Sequence, residues 1–300
     1  MAKKKKNENK KSFLKIGVAK TSKSKIKLSG IMKSEVLPPH PFRAVISGAS
    51  GSGKSNLLLD LLTCPNKYHG YFDLCFVISP TASTLDDSYS LLIKKMKKSK
   101  TKLFIINKPT EEQVEHIMTL NKEIIEEQGL VKAPKILIIY DDIISFRRFM
   151  NSKAFLQSFI ASRHYNASVI IATQKFKSVP RTCRVQASSI FYFRGTHSED
   201  EALCEDYCPP KYNKKEFMGI LNHATRIPYS FLFINNHVGF RTRYRECLHT
   251  ILTLDRFEEQ EKNDDNPQGI TDDDDDEEGD EEDEGDEGDE GDNSDKENEK

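Results

Sequence analysis

Tryptophan is absent from the chain, and that absence carries no functional content. The lack of any run of about 18 consecutive apolar residues excludes more, since it leaves no candidate for a membrane-spanning helix. No apolar segment follows the lysine-rich start, so a secretory signal is not expected. Cysteine is scarce, with six scattered in 300 residues, which suits reduced thiols rather than a disulfide framework. A net charge is missing only on average. The whole chain sums to −2, yet residues 258–300 hold 25 acidic side chains against three lysines, while residues 1–34 hold 12 lysines and one glutamate. The segment between them is basic by 9. A basic arm, a moderately basic body and an acidic tail point to a polyanion partner and two solvated ends.

The arm (1–34) and the tail (258–300) have too few large apolar groups to offset their chain entropy and are predicted to be disordered. The body, 35–257, is long enough for one α/β domain with a single core. Apolar runs of strand length lie at 44–47, 74–79, 103–106, 136–140, 169–173, 190–193 and 231–234. They are rich in Ile, Val and Phe and read as buried strands of a mainly parallel sheet. Helical patterns alternate with them at 55–63, 90–98, 111–127, 153–165, 199–207 and 214–222. This alternation predicts a doubly wound sheet with helices on both faces, whose ligands bind at the carboxyl ends of the strands.

Directly after the first strand comes Gly48-Ala49-Ser50-Gly51-Ser52-Gly53-Lys54-Ser55, followed by Asn56 and a Leu-rich helical stretch. It matches the G-x-x-x-x-G-K-[ST] phosphate loop without a mismatch and in the strand–loop–helix setting the motif requires. Glycines allow backbone conformations closed to residues with a Cβ. The loop amides can then turn inward as an anion nest at a helix N-terminus. Lys54 supplies a point charge for β- and γ-phosphates, and Ser55 a hydroxyl for Mg²⁺.

Such a site needs a carboxylate at the end of another strand. The run Ile-Leu-Ile-Ile-Tyr ends in Asp141 and Asp142. Asp141 is placed for the metal, and Asp142 to orient or deprotonate the attacking water. Many ATPases carry Glu at the second position, so Asp142 departs from the commoner pattern by one methylene. A strand that simply ends in a turn would also favour Asp. Thr173 and Gln174 would emerge at the same edge, where a polar side chain can bond the γ-phosphate or the water. Arg163, Arg181 and Arg184 flank that strand. Each is either a surface arginine or a group that enters a neighbouring subunit's site to stabilise transition-state charge.

Taken in order, "PFRAVISGASGSGKS", "FDLCFVISPT", "ILIIYDD" and "SRHYNASVIIATQKFKSVPRTCR" resemble the poxvirus-type DNA-packaging ATPases of the FtsK–HerA superfamily. These occur in nucleocytoplasmic large DNA viruses, virophages and related elements. The resemblance covers about residues 37–254. It implies a RecA-like core in a homo-oligomeric ring that uses ATP and Mg²⁺ to drive double-stranded DNA into a viral capsid. It also implies a cytoplasmic viral factory or the virion as the setting, with the nucleus left open. Within it, Gln174 matches the family's sensor glutamine, and Arg163 best matches the arginine that acts in trans.

Rival readings fare less well. Asn107-Lys108-Pro109-Thr110 lacks the carboxylate that a guanine site requires and precedes the acidic strand. A small-molecule kinase would need an acceptor site and lid that no motif supplies. An ATP- and DNA-binding assembly scaffold without motor activity stays open because of Asp142. Cys204 and Cys208, near His197 and His223, read as core packing rather than zinc ligands. The segment 241–245 would, as a strand, present three arginines on one face toward DNA phosphates or a subunit contact. The lysines at 3–6, 10 and 11 suit phosphate contact, nuclear import or plain solubility. The tail can act as an intramolecular competitor for the basic body or merely as a solvated end. If it competes, deleting residues 258–300 tightens duplex DNA binding at low salt; unchanged affinity in a salt titration would reject competition.

Overall fold

Apolar runs at 44–47, 74–78, 136–141, 167–173 and 189–193 bury most of both faces, which selects parallel pairing with helices on either side, while 102–106 at the sheet edge stays half exposed. The computed structural model describes residues 35–81, 87–96, 98–210 and 212–253; the predicted arm and tail lie outside them. Strands β1 (Arg43–Ser47), β2 (Leu74–Ile78), β3 (Lys102–Ile106), β4 (Ile136–Asp141), β5 (Ala167–Thr173) and β6 (Ser189–Phe193) are parallel. Strands β7 (Phe231–Asn235), β8 (Tyr244–Glu246) and β9 (Thr250–Ile251) add on antiparallel. The order across the sheet is β3-β2-β4-β5-β1-β6-β7-β8-β9.

The helices are α1 (Lys54–Thr63), α2 (Asp87–Met96), α3 (Glu111–Gln128), α4 (Arg147–Met150), α5 (Lys153–Ile160), α6 (Arg181–Gln186), α7 (His197–Tyr207) and α8 (Lys214–Ala224). Alternate strand residues feed two cores. Ala44 and Ile46 of β1, with Leu137 and Ile139 of β4, pack under α1 and α2. Val45, Ile138 and Tyr140 face the other way, against α3, α5, α7 and α8. Tyr140 is fully buried and shares a 2.7 Å hydrogen bond with Ser158 of α5, which fixes the acidic strand against its helix.

Every strand expected from the sequence is present, but β7 runs antiparallel to β6. Two consecutive helices, α7 and α8, cross between them. The first carries the chain away from the carboxyl edge and the second carries it back, so β7 starts where β6 ends. The predicted helix at 153–165 stops at Ile160 and continues only as a 3-10 turn, Ser162–Tyr165. Asn166 then adopts a left-handed backbone, φ 49°. The three-arginine strand at 241–245 does not form. Arg241 sits in a 3-10 turn, Phe240–Thr242, Arg243 caps it, and only Arg245 lies on β8. Burial of Tyr244 against Phe217 and Phe240 turns the chain there. Cys204 is buried in the core, where desolvation pushes its thiol up to about 11. Among the described residues, no helix is long and apolar enough to cross a membrane.

At the amino edge His40 is held between Ser168 and Asn166, at 2.7 and 2.9 Å. The Asn166 amide nitrogen donates to the Ala133 and Pro134 carbonyls, so its oxygen must accept from His40 Nε2–H. Nδ1 is then left to accept from the Ser168 hydroxyl, an arrangement that needs a neutral ring. Burial lowers the His40 pKa to about 4, the bond to Asn166 opposes the shift, and nearby Lys135 adds to it. An unfolded histidine protonates near 6.5. The native state refuses that proton until about pH 4, so stability falls as pH drops from 6.5 to 4. The shift corresponds to about 3 kcal/mol across that window. Denaturant unfolding at several pH values should show this slope, and His40→Gln should flatten it relative to wild type.

Candidate nucleotide-binding site

The loop leaves β1 at Gly48, which lies between Phe193 and Ser52. A Cβ on Gly48 would come within 2.5 Å of Phe193 Cβ and 2.7 Å of Ser52 Oγ, so no larger residue fits. Gly51 and Gly53 have positive φ, 76° and 106°. Gly53 is the N-cap of α1, which has no side-chain cap and no acidic residue in its first turn. Its first amides are therefore left to an anion. Gly48 N–H donates to the Thr173 carbonyl at 3.2 Å, anchoring the loop to the end of β5.

Lys54 points back under the loop. The residue is 8% exposed, and its ammonium donates to the Gly48 and Ala49 carbonyls at 2.8 and 3.0 Å. Burial lowers its pKa, while the charges of Asp142 and Asp141 pull the other way. Those two aspartates end β4. Asp141 is buried and accepts from the Ser79 hydroxyl at 3.3 Å. Asp142 takes a left-handed backbone, φ 47° and ψ 37°, which Asp tolerates better than most residues. Its N–H donates to Ala172 O at 2.9 Å, and Gln174 Nε2 donates to its Oδ2 at 2.9 Å. Its other oxygen, Oδ1, is buried without a hydrogen-bond partner, as is Ser52 Oγ.

These groups share one cleft of about 250 Å³, lined by Ser50, Gly51, Gly53, Lys54, Ser55, Asn56, Thr81, Asp141, Asp142 and Gln174. A larger groove of 540 Å³ lies near Pro109, Arg147 and Arg148. It has no glycine loop, so volume does not locate the chemistry here. Thr110 beside that groove is the N-cap of α3 in a capping box with Gln113, which gives the Asn-Lys-Pro-Thr segment a structural role.

Of the residues expected at the site, Gly48, Ala49 and Ser52 shape the loop from beneath, and the remainder of 50–56 lines the cleft. Thr173 turns away, its hydroxyl bonding within its own turn to Lys175 O at 3.3 Å. Arg163 is not at this edge. It precedes β5 in the turn Ser162–Tyr165, exposed and next to Arg43, at the amino end of the sheet. A seven-residue strand puts it about 20 Å from its own phosphate loop. Arg181 and Arg184 both pair with Asp206, at 3.1 and 3.3 Å, and Arg184 also covers the Phe176 ring. Two participants were not expected, Ser79 and Thr81. Their one sequence signal was polar residues just past an apolar strand.

A glycine loop on the central strand, with an acidic strand one place removed beyond β5, defines the class: a RecA-like P-loop NTPase fold. Residues 31–266 match the family described as Poxvirus A32 protein, and the chain belongs to that family. The DNA packaging protein OPG160 of Variola virus is 25% identical over 187 residues, covering 61% of this chain and 63% of that protein. The Monkeypox virus protein of the same name is also 25% identical, with 57% of its length covered. The matched stretch thus spans less than two thirds of these relatives. Among solved structures, B204, the DNA-packaging ATPase from Sulfolobus turreted icosahedral virus, superposes with a TM-score of 0.47 at 15% identity. That superposition covers 66% of this chain and 93% of B204. These structural likenesses are distant.

Gly48→Ala should force Phe193 and the loop apart, destabilising the domain by about 1–3 kcal/mol. Thermal unfolding reads the loss, and nucleotide affinity should fall with it.

Proposed function

We propose that the protein is an ATPase that moves double-stranded DNA into viral capsids. One observation carries the nucleotide half of this reading: an uncapped glycine loop, a buried lysine and two aspartates face a single cleft. Membership of the poxvirus A32 family and likeness to proteins named for DNA packaging support the DNA half. The basic body favours a polyanion.

The loop amides of 50–56 would bind the phosphates, and Lys54 would exchange the Gly48 and Ala49 carbonyls for β- and γ-phosphate oxygens. The Ser55 hydroxyl and the Asp141 carboxylate are hard oxygen donors that line the same cleft and fit Mg²⁺. Among the described residues no group of three or more His, Cys, Asp and Glu could hold a metal. The Ser55 hydroxyl and the Asp141 carboxylate would hold the ion together with the substrate's phosphates and water. When bound, Mg²⁺ neutralises charge that develops on the phosphates. Asp142 would accept the water's proton, while Gln174, bonded to its Oδ2, reads the γ-phosphate. That link would pass the nucleotide state to the end of β5. Arg163 lies too far from its own cleft to act in cis, so a finger role for it requires a neighbouring copy in a homo-oligomeric ring.

The direct test is ATP hydrolysis at rising protein concentration, with and without duplex DNA. A ring motor gains specific activity as subunits associate and is stimulated by DNA. Lys54→Ala should lose hydrolysis and translocation by at least about 100-fold while still binding DNA. An assembly scaffold would lose neither assembly nor DNA contact and would hydrolyse nothing.

A further inference from the structure

The polar cleft accounts for the phosphates of a nucleotide but not for its base. Sites for ligands of that size are typically about 300–1,000 Å³ and mostly apolar. The cleft here is about 250 Å³, and no aromatic side chain lines it. The carboxylates and Gln174 come from β4 and β5, on one side of β1, so they mark the γ-phosphate end. The rest of a nucleotide must leave on the other side, toward β6 and β7.

On that side stands Tyr229. Gly53 both lines the cleft and backs onto this residue: a Cβ placed on Gly53 would lie 3.5 Å from Tyr229 Cδ1 and 3.8 Å from its Cβ. Tyr229 is 71% exposed, an unusual state for a large ring beside a buried loop. It also holds a left-handed backbone, φ 67°, which a residue with a large side chain rarely adopts. The turn that presents it is built. Ser230 bonds back to Ile227 O through both its amide and its hydroxyl, at 3.0 and 2.6 Å. Ile227, two residues earlier in the same turn, is 53% exposed. Phe193 and Phe231 pack at 5.1 Å, and Phe193 Cε1 would lie 3.5 Å from the same Gly53 Cβ. The antiparallel direction of β7 is what delivers this turn to the carboxyl edge.

We infer that Tyr229 is the platform on which the base of the bound nucleotide stacks, with Ile227 closing its side. This rests on the phosphate-loop reading above and extends it from the phosphates to the base. Recognition by a ring face is sequence-tolerant and favours the larger purine surface over a pyrimidine.

The chain has no tryptophan, so Tyr229→Trp installs a single reporter in the full-length protein. Its emission should change on adding Mg²⁺-ATP and stay unchanged with Mg²⁺-tripolyphosphate. In parallel, Tyr229→Asn removes the ring while keeping a residue that tolerates the left-handed backbone. It should weaken ATP roughly tenfold and leave tripolyphosphate affinity unaltered, whereas Tyr229→Phe should bind both like wild type. ATP affinity unchanged in Tyr229→Asn overturns the inference. So does an equal loss of both ligands, which would make the ring a prop for the loop. A change in oligomeric state with unaltered ATP affinity overturns it too, assigning the ring to a contact between copies. Lys54→Ala should lose both ligands. If wild type binds tripolyphosphate no better than Lys54→Ala does, the phosphate-loop reading itself fails.

Discussion

A lysine ammonium buried under a backbone loop is the constraint on which the rest of this structure depends. A buried cation is costly unless it is hydrogen-bonded and faced by opposite charge. Lys54 meets that condition with two loop carbonyls and the field of two aspartates. The carbonyls turn inward only because the loop can adopt glycine geometry at Gly51 and Gly53. The aspartates reach it because β4 and β5 are paired in a register that sets Asp141 against Ala172, one step from the strand end that anchors Gly48. The sheet therefore acts as a ruler, fixing where charges of both signs meet.

The chain is locally strained where the site lies. Asp142 and Tyr229 both hold left-handed backbones. Each sits just past or just before a strand at the carboxyl edge, on opposite flanks of the phosphate loop. Such conformations persist only when the surroundings impose them. At Asp142 the imposing contacts are its own amide to Ala172 and the Gln174 amide on its carboxylate. At Tyr229 they are the Ser230 bonds to Ile227. The site is thus pre-shaped along a line from Gln174 to Tyr229, which suits a ligand charged at one end and flat at the other. The opposite edge also holds a left-handed residue, Asn166, but uses it to tie strands together rather than to shape a cleft. His40, Ser168 and Asn166 form a buried neutral network there that ties the amino ends of the strands together.

Most of the strand and helix pattern was legible because burial on both faces leaves unbroken Ile, Val and Phe runs. The phosphate loop and the acidic strand end were legible for a related reason: each is a contiguous backbone device whose residues act within a few positions of one another. Arg241 to Arg245 misled, since alternation of charge said nothing of the burial Tyr244 requires.

Sequence alone determined the local chemistry: glycines at 48, 51 and 53, a lysine and hydroxyl after them, and carboxylates closing an apolar strand. Those follow from steric and hydrogen-bonding rules that act along the chain. Tertiary structure alone decided which distant residues share an edge. It placed Ser79 on Asp141, moved Arg163 to the far end of the sheet, tied Arg181 and Arg184 to Asp206, and brought Tyr229 beside Gly53. Strand order and the direction of β7 set these neighbours, and both depend on which apolar faces bury each other across the whole domain.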